Sequence, residues 1–155
     1  MIRLIKQEDI KILAKIYKEL YDDVDIWEFW SIESAENLLN YRYNKQPDLF
    51  FVAEENWKPI WAIVSWVKPR FDWNRLIDTE LFVDKNWQKK HIWKQLFQMH
   101  ISEAKKIYNT NVIEFHTYGD ETEFPQNWYK RIWCKKDEEL IIMNARIENI
   151  IKNLE

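Results

Sequence analysis

The sequence predicts a mixed α/β domain of the α+β kind, with helices packed on a mostly antiparallel central sheet. Three observations carry that reading. Apolar residues recur at helical spacing in separate stretches, with β-rich runs between them. Two of those runs, Leu49–Ala53 and Ile60–Val67, flank Asn56-Trp57, one residue away from the Asn-Gly hairpin signal. A third run, Arg75–Asp84, passes through a short polar loop straight into a helical pattern that begins at Ile92. At 155 residues, with no linker, repeat or low-complexity tract, the chain reads as one domain, 1–155.

Taken in order, Met1–Ile5 is a short apolar strand. Gln7-Glu8-Asp9 places acidic residues at the positive end of a helix over Glu8–Tyr21, whose inner stripe is Ile10, Leu13, Ala14, Tyr17 and Leu20. An acidic loop, Asp22–Asp25, ends it. Ser31 is placed to cap a second helix reaching Tyr43, with Ile32, Ala35, Leu38 and Leu39 inward, and Gln46-Pro47-Asp48 stops that helix. Leu49–Glu54 and Pro59–Lys68 form the hairpin, and Arg75–Asp84 is the next strand. Trp93, Leu96, Phe97, Ile101, Ala104 and Tyr108 define a helix over Ile92–Tyr108, ending near Asn109-Thr110-Asn111. Val112–Tyr118 is β-branched and aromatic, hence a strand. Pro125–Ile132 reads as a short helix, Cys134–Ile147 as one long strand or a strand pair, and Glu148–Leu154 as a terminal helical turn.

Composition narrows the function. A net charge of -3 argues against a nucleic-acid binder that works by neutralising phosphates. No apolar run approaches the ~20 residues that span a bilayer, and the N-terminal stretch has no apolar signal core. Cys134, the single cysteine, excludes an internal disulfide, suits a reducing cytoplasm, and reads as a small buried residue rather than a nucleophile. His91, His100 and His116 lack metal-ligand spacing, so no metal is expected. The expectation is a cytoplasmic domain with neither a nucleic acid nor a membrane as partner.

The strand–loop–helix of Val83–Leu96 brings unpaired backbone N–H groups and a positive helix end to one point, which suits a pyrophosphate. Within it, Gln88-x-x-His91-x-Trp93 resembles the acyl-CoA loop of the GNAT N-acetyltransferase superfamily, Gln/Arg-x-x-Gly-x-Gly/Ala, with His91 and Trp93 at the two glycine positions. Tyr129-Lys130-Arg131-Ile132-Trp133-Cys134 resembles the family's Tyr-x-x-x-Gly-Phe, with Trp133 at the glycine and Cys134 at the phenylalanine. The predicted element order follows the GNAT plan over nearly the whole chain.

The resemblance implies a GNAT acyl-CoA N-acyltransferase fold, a sheet splayed between its fourth and fifth strands with acetyl-CoA as cosubstrate in the opening. It implies acetyl transfer to a primary amine of a small molecule or peptide, by direct attack within a ternary complex. Gln88, Lys89, Lys90, His91, Ile92, Trp93 and Lys94 would form the pyrophosphate loop. The main chain at Leu81, Phe82 and Val83 would pair with the pantetheine arm and polarise the thioester carbonyl. Glu80, in preference to Asp78, would be the general base, and Tyr129 the acid for the departing thiolate. The family's upstream asparagine falls at Thr122. His116 and Tyr118 would line the cleft, and similar proteins are often homodimers.

One compositional anomaly stands out. The chain has 1 Gly and 10 Trp, where average usage gives roughly 11 glycines. Trp57, Trp61, Trp66, Trp73, Trp93 and Trp133 stand where turn chemistry or the family wants glycine, and Trp27 is a further candidate. On one reading these are glycines encoded by UGA and rendered as tryptophan; Trp87 and Trp128 are then ordinary, and Trp30 is open. On that reading the indole of Trp93, as written, obstructs the approach of phosphate. On the other reading the tryptophans are genuine, and Trp57, Trp61, Trp66 and Trp73 form a non-catalytic surface that stacks on sugars or bases. A GNAT-fold module that binds acyl-CoA without turnover is a third.

Overall fold

The computed structural model describes residues 1–22, 28–88, 92–117, 126–137, 146–147 and 150–151. They belong to two compact units, Met1–His116 and Thr117–Glu155. Among the described residues no helix is long and apolar enough to cross a membrane.

The first unit is built on a five-stranded sheet whose strands lie in chain order: β1 (Ile2–Leu4), β2 (Phe50–Glu55), β3 (Lys58–Lys68), β4 (Asn74–Val83) and β5 (Thr110–Ile113). Neighbours are antiparallel from β1 to β4, while β5 is parallel to β4. A parallel pair needs a crossover, which α3 (Ile92–Tyr108) supplies. The sheet is apolar on both faces because its central strands alternate between two cores. Phe50, Val52, Ala62, Val64 and Phe82 pack against α1 (Ile10–Asp22) and α2 (Ile32–Lys45). Phe51, Ala53, Ile63 and Leu76 pack against Leu96 and Ala104 of α3.

Local chemistry sets the boundaries. Ser31 caps α2 as expected: its hydroxyl accepts from the Ser34 N–H at 3.0 Å, and the Ser34 hydroxyl accepts from the Ser31 N–H at 2.9 Å. The first helix starts at Ile10 rather than Glu8, because a tight turn at Gln7–Asp9 precedes it. There the buried Asp9 carboxylate accepts the Lys6 N–H at 2.8 Å and Arg3 at 2.7 and 3.0 Å. At the hairpin, Glu55 pairs with Lys58 across a two-residue turn in which Asn56 and Trp57 have φ of 48° and 63°. Positive φ at both positions is the arrangement Asn-Gly favours.

The fifth strand corrects the sequence reading. It occupies Thr110–Ile113 instead of Val112–Tyr118, because Asn109 alone (φ 50°) turns the chain out of α3. Thr110 then pairs at once with Asn74, and from Glu114 to Thr117 the chain has left the sheet.

Two features of β4 shape the candidate site. β5 meets it only at Asn74, Arg75 and Leu76, with the Glu114 N–H donating to the Leu76 carbonyl at 2.8 Å. Beyond Leu76, no described strand pairs with that edge of β4. The strand also carries a bulge: Val64 faces Glu80 and Trp66 faces Ile77, so β4 has one residue more than β3 over this step. Asp78 sits in the bulge with φ 50°.

In the second unit, α4 (Gln126–Arg131) lies within the predicted Pro125–Ile132. The Cys134 N–H donates to the Tyr129 carbonyl at 3.0 Å and the Trp133 N–H to the Lys130 carbonyl at 3.1 Å. With Trp133 at φ 70°, this is a Schellman cap, and tryptophan holds the left-handed position that glycine usually takes. Of the expected strand or strand pair at Cys134–Ile147, residues 134–137 are not in a strand and 138–145 lie outside the described residues. In the last predicted turn Ile150 and Ile151 are helical, and 148–149 and 152–154 lie outside the described residues.

Candidate active site

Strand alternation puts Glu80 on the same face as Phe82, under α1 and α2. Its Oε2 lies 3.4 Å from the Tyr17 hydroxyl, which lies 3.3 Å from the Tyr21 hydroxyl. Each hydroxyl has one proton, so a chain in which Tyr21 donates to Tyr17 and Tyr17 donates to Glu80 satisfies both donors. Trp30 packs edge-on against Tyr17 at 5.2 Å and gives its indole N–H to Glu28 Oε2 at 3.0 Å. Burial raises the pKa of Glu80; Arg42 and the Tyr17 hydrogen bond oppose the rise, while Glu28 and Asp78 add to it. A general base that works near neutral pH needs a carboxyl held above its usual range.

Asp78 reaches the same neighbourhood by a different route. In an unbroken strand, residues two apart share a face by alternation alone. Here the bulge and the positive φ of Asp78 bring its Oδ2 to 3.8 Å from Arg42 Nη1, while Arg42 Nη2 lies 3.8 Å from Glu80 Oε1. Asp78 Oδ1 is also 3.5 Å from Nδ1 of His116, just past β5, so beside the Arg42 that the two carboxylates share, Asp78 has His116 and Glu80 has Tyr17.

The main chain of β4 lies next to these side chains. The Asp84 N–H donates to the Ile60 carbonyl of β3 at 2.8 Å. By the two-residue period, Phe82 also turns its peptide groups toward β3, whereas Leu81 and Val83 turn theirs toward the edge that no described strand pairs with beyond Leu76. Asp84 ends the strand by accepting the Asn86 N–H at 2.9 Å. Gln88 is extended and exposed, and α3 opens with Ile92 and Trp93 partly buried and Lys94 exposed. The Trp93 side chain packs on the core beneath α3. Lys89, Lys90 and His91 lie outside the described residues, as do Tyr118 and Thr122.

Tyr129 belongs to the second unit, half-buried on α4 with its ring 5.2 Å from that of Trp128. Cys134 is half-buried as well, and burial raises the pKa of its thiol. His100 is fully buried on α3, where its Nε2 pairs with the Ser65 hydroxyl. Among the described residues no group of three or more His, Cys, Asp or Glu could hold a metal ion. Sequence reasoning missed two participants. Tyr17 belongs to an apolar helical stripe, and Arg42 looks like an ordinary cation in the last turn of α2. Only long-range geometry gives them their partners.

No family model and no curated protein matches this sequence. Solved structures do. A possible acetyltransferase from Clostridium difficile superposes with a TM-score of 0.77 over 94% of this chain and 97% of its own, at 14% identity. A predicted acetyltransferase from Clostridium acetobutylicum, solved with acetyl-CoA, gives a TM-score of 0.70 over 93% of this chain and 95% of its own, at 18% identity. A transcriptional regulator from Bacillus halodurans also gives 0.70, over 94% of this chain and 99% of its own, at 16% identity. The chain has the GNAT acetyltransferase fold.

Proposed function

We propose that this chain is an acetyl-CoA-dependent N-acetyltransferase that acts on a primary amine by direct attack in a ternary complex. The observation that carries the proposal is Glu80: a carboxylate raised in pKa by burial, on the strand whose Leu81 and Val83 peptide groups face an edge that no described strand pairs with. That edge fits an acyl-CoA, because an extended arm containing amides can pair with it as a strand would. Leu81 and Val83 would hold the arm. Gln88, Lys89, Lys90, His91 and the first turn of α3, through Lys94, would hold the diphosphate. Acetyl-CoA supplies the activated acetyl thioester when bound.

The chain's own groups supply the proton transfers. Glu80 takes the proton of the incoming ammonium, which frees the nitrogen lone pair for attack. The carboxylates of Glu28, Asp78 and Glu80 favour a cationic acceptor over a neutral one. Tyr129, assigned from its motif, would give its hydroxyl proton to the thiolate as the C–S bond breaks, and the second proton that the nitrogen loses as the amide forms would return to the Tyr129 phenolate. The left-handed φ of Trp133 supports that register, since the motif's glycine falls on the residue that needs it.

The Bacillus halodurans neighbour supports a second reading, an acyl-CoA-binding regulatory module without turnover. Thiol release from acetyl-CoA, followed over polyamines, aminoglycoside-like amines, amino acids and lysine peptides, separates the two. Turnover with one amine class is expected, reduced about a hundredfold or more by Glu80→Gln and about tenfold or more by Tyr129→Phe. Binding without release over the whole panel favours the second reading.

A further inference from the structure

We infer that Arg42 is a positioning residue for the transfer reaction: from α2 its buried guanidinium lies 3.8 Å from both Glu80 and Asp78, draws the two carboxylates together at the β4 bulge, and favours the charge on Glu80 that burial opposes. The inference rests on the reading of Glu80 as general base.

Arg42 is only 8% exposed, and burying a guanidinium is costly unless opposite charge compensates it. An arginine kept for stability usually takes close, forked hydrogen bonds, as Arg3 does with Asp9 at 2.7 and 3.0 Å. Arg42 does not. Its Nη1 and Nη2 stand 3.8 Å from Asp78 and Glu80, beyond hydrogen-bond reach, and its Nε and Nη1 have no hydrogen-bond partner. The guanidinium therefore acts on the two carboxylates chiefly through its field, and a carboxylate acting as base stays free to accept a proton from elsewhere. Asp78 comes within reach of Arg42 from a left-handed backbone that an aspartate tolerates but does not prefer.

Among the described residues two groups favour an ionised Glu80, the Tyr17 hydroxyl and the Arg42 guanidinium, and of these Arg42 brings the positive charge. Tyr17 and Tyr21 face Glu80 from α1, Glu28 from the segment before α2, and Asp78 from its own strand, with His116 beyond Asp78. The two carboxylates among these disfavour a charge on Glu80. Arg42 is the cation that the described residues pair with it. Without Arg42, Glu80 keeps its proton to higher pH and loses its function as base across the lower part of the working range.

The test follows the Glu80 carboxyl through a pH titration by carboxyl-carbon NMR, in the parent chain, Arg42→Lys and Arg42→Met, with Glu80→Gln to identify the signal. Arg42→Met is expected to move the Glu80 titration upward by about one to three pH units. Arg42→Lys, which keeps the charge, is expected to stay near the parent. In the thiol-release assay the acid limb of the kcat/KM profile should move by the same amount. Should Arg42→Met fail to fold, Arg42→Gln serves the same comparison. Equal titration in the parent and the uncharged variant overturns the inference, as does an equal shift in Arg42→Lys and Arg42→Met, which would mean that Arg42 only packs. The titration needs no acceptor amine. A shift with no turnover on any amine would therefore count against the transferase reading alone.

Discussion

The Tyr17 hydroxyl stands 3.4 Å from Glu80 Oε2, joining α1 to β4 across 63 residues of chain. This contact, with Arg42 on the other side of the carboxylate, ties a carboxyl on a sheet strand to both helices that cover it. Burial of Glu80 costs the fold stability and would give the carboxyl the basicity that the proposed proton abstraction uses.

That cost has a sign. Burial holds the Glu80 pKa in the folded chain above its ordinary value of 4.5, so the folded state keeps a proton that the unfolded state releases. Stability is lost as pH rises through that window and stays lower at neutral pH. Glu80→Gln should therefore lose amine acetylation and gain thermal stability at neutral pH, with the gain vanishing in acid. Thermal unfolding of both chains at several pH values checks this; a variant less stable than the parent at neutral pH contradicts it.

His100 works in the opposite direction. Burial lowers its pKa from 6.5 to about 4, so it stays neutral in the fold while the unfolded chain protonates. Its contribution is complete above the ordinary histidine range and is lost as pH falls toward 4, on the order of 3 kcal/mol over the window. In His100→Met, which cannot titrate, denaturant unfolding should show a shallower loss of stability between neutral and mildly acid pH. An unchanged slope means that another group governs acid unfolding.

The tryptophans divide on structural grounds. Trp57 and Trp133 hold left-handed φ at the hairpin turn and the α4 cap, 86% and 92% exposed, with little packing to recover the strain. Trp57→Gly and Trp133→Gly should each stabilise the chain by about 1 kcal/mol in chemical denaturation. If these are recoded glycines, the gene carries UGA at both positions; UGG there ends that idea. Trp66 behaves differently. It lies in β3 with the Arg42 guanidinium 5.0 Å and Lys45 Nζ 2.8 Å from its ring, contacts that a glycine could not make. Its indole N–H and that of Trp61 are nevertheless buried without an acceptor.

Much of this fold was legible in local sequence because local rules decide it. The alternating runs around Asn56-Trp57 set the hairpin, the 3.6-residue period of Trp93, Leu96, Phe97 and Ala104 set α3, and Ser31 set the start of α2. The β5 boundary was missed because Asn109-Thr110-Asn111 looks like a three-residue turn, whereas one left-handed asparagine suffices. The bulge was invisible because Asp78-Thr79-Glu80 fits a plain alternating strand, and only pairing with β3 exposes the extra residue. The site was half legible. The resemblance pointed to Glu80, but the contacts of Tyr17 and Arg42 with it join residues dozens of positions apart.

Calorimetric titration of acetyl-CoA into the Trp93→Gly chain, beside the parent, tests most directly whether the open edge of β4 and the start of α3 hold the cosubstrate. Saturable heat with one site per chain is expected for Trp93→Gly, with at least about tenfold weaker binding in the parent, where the indole stands at the family's glycine position. A folded Trp93→Gly chain that gives no heat with acetyl-CoA contradicts the proposed transferase.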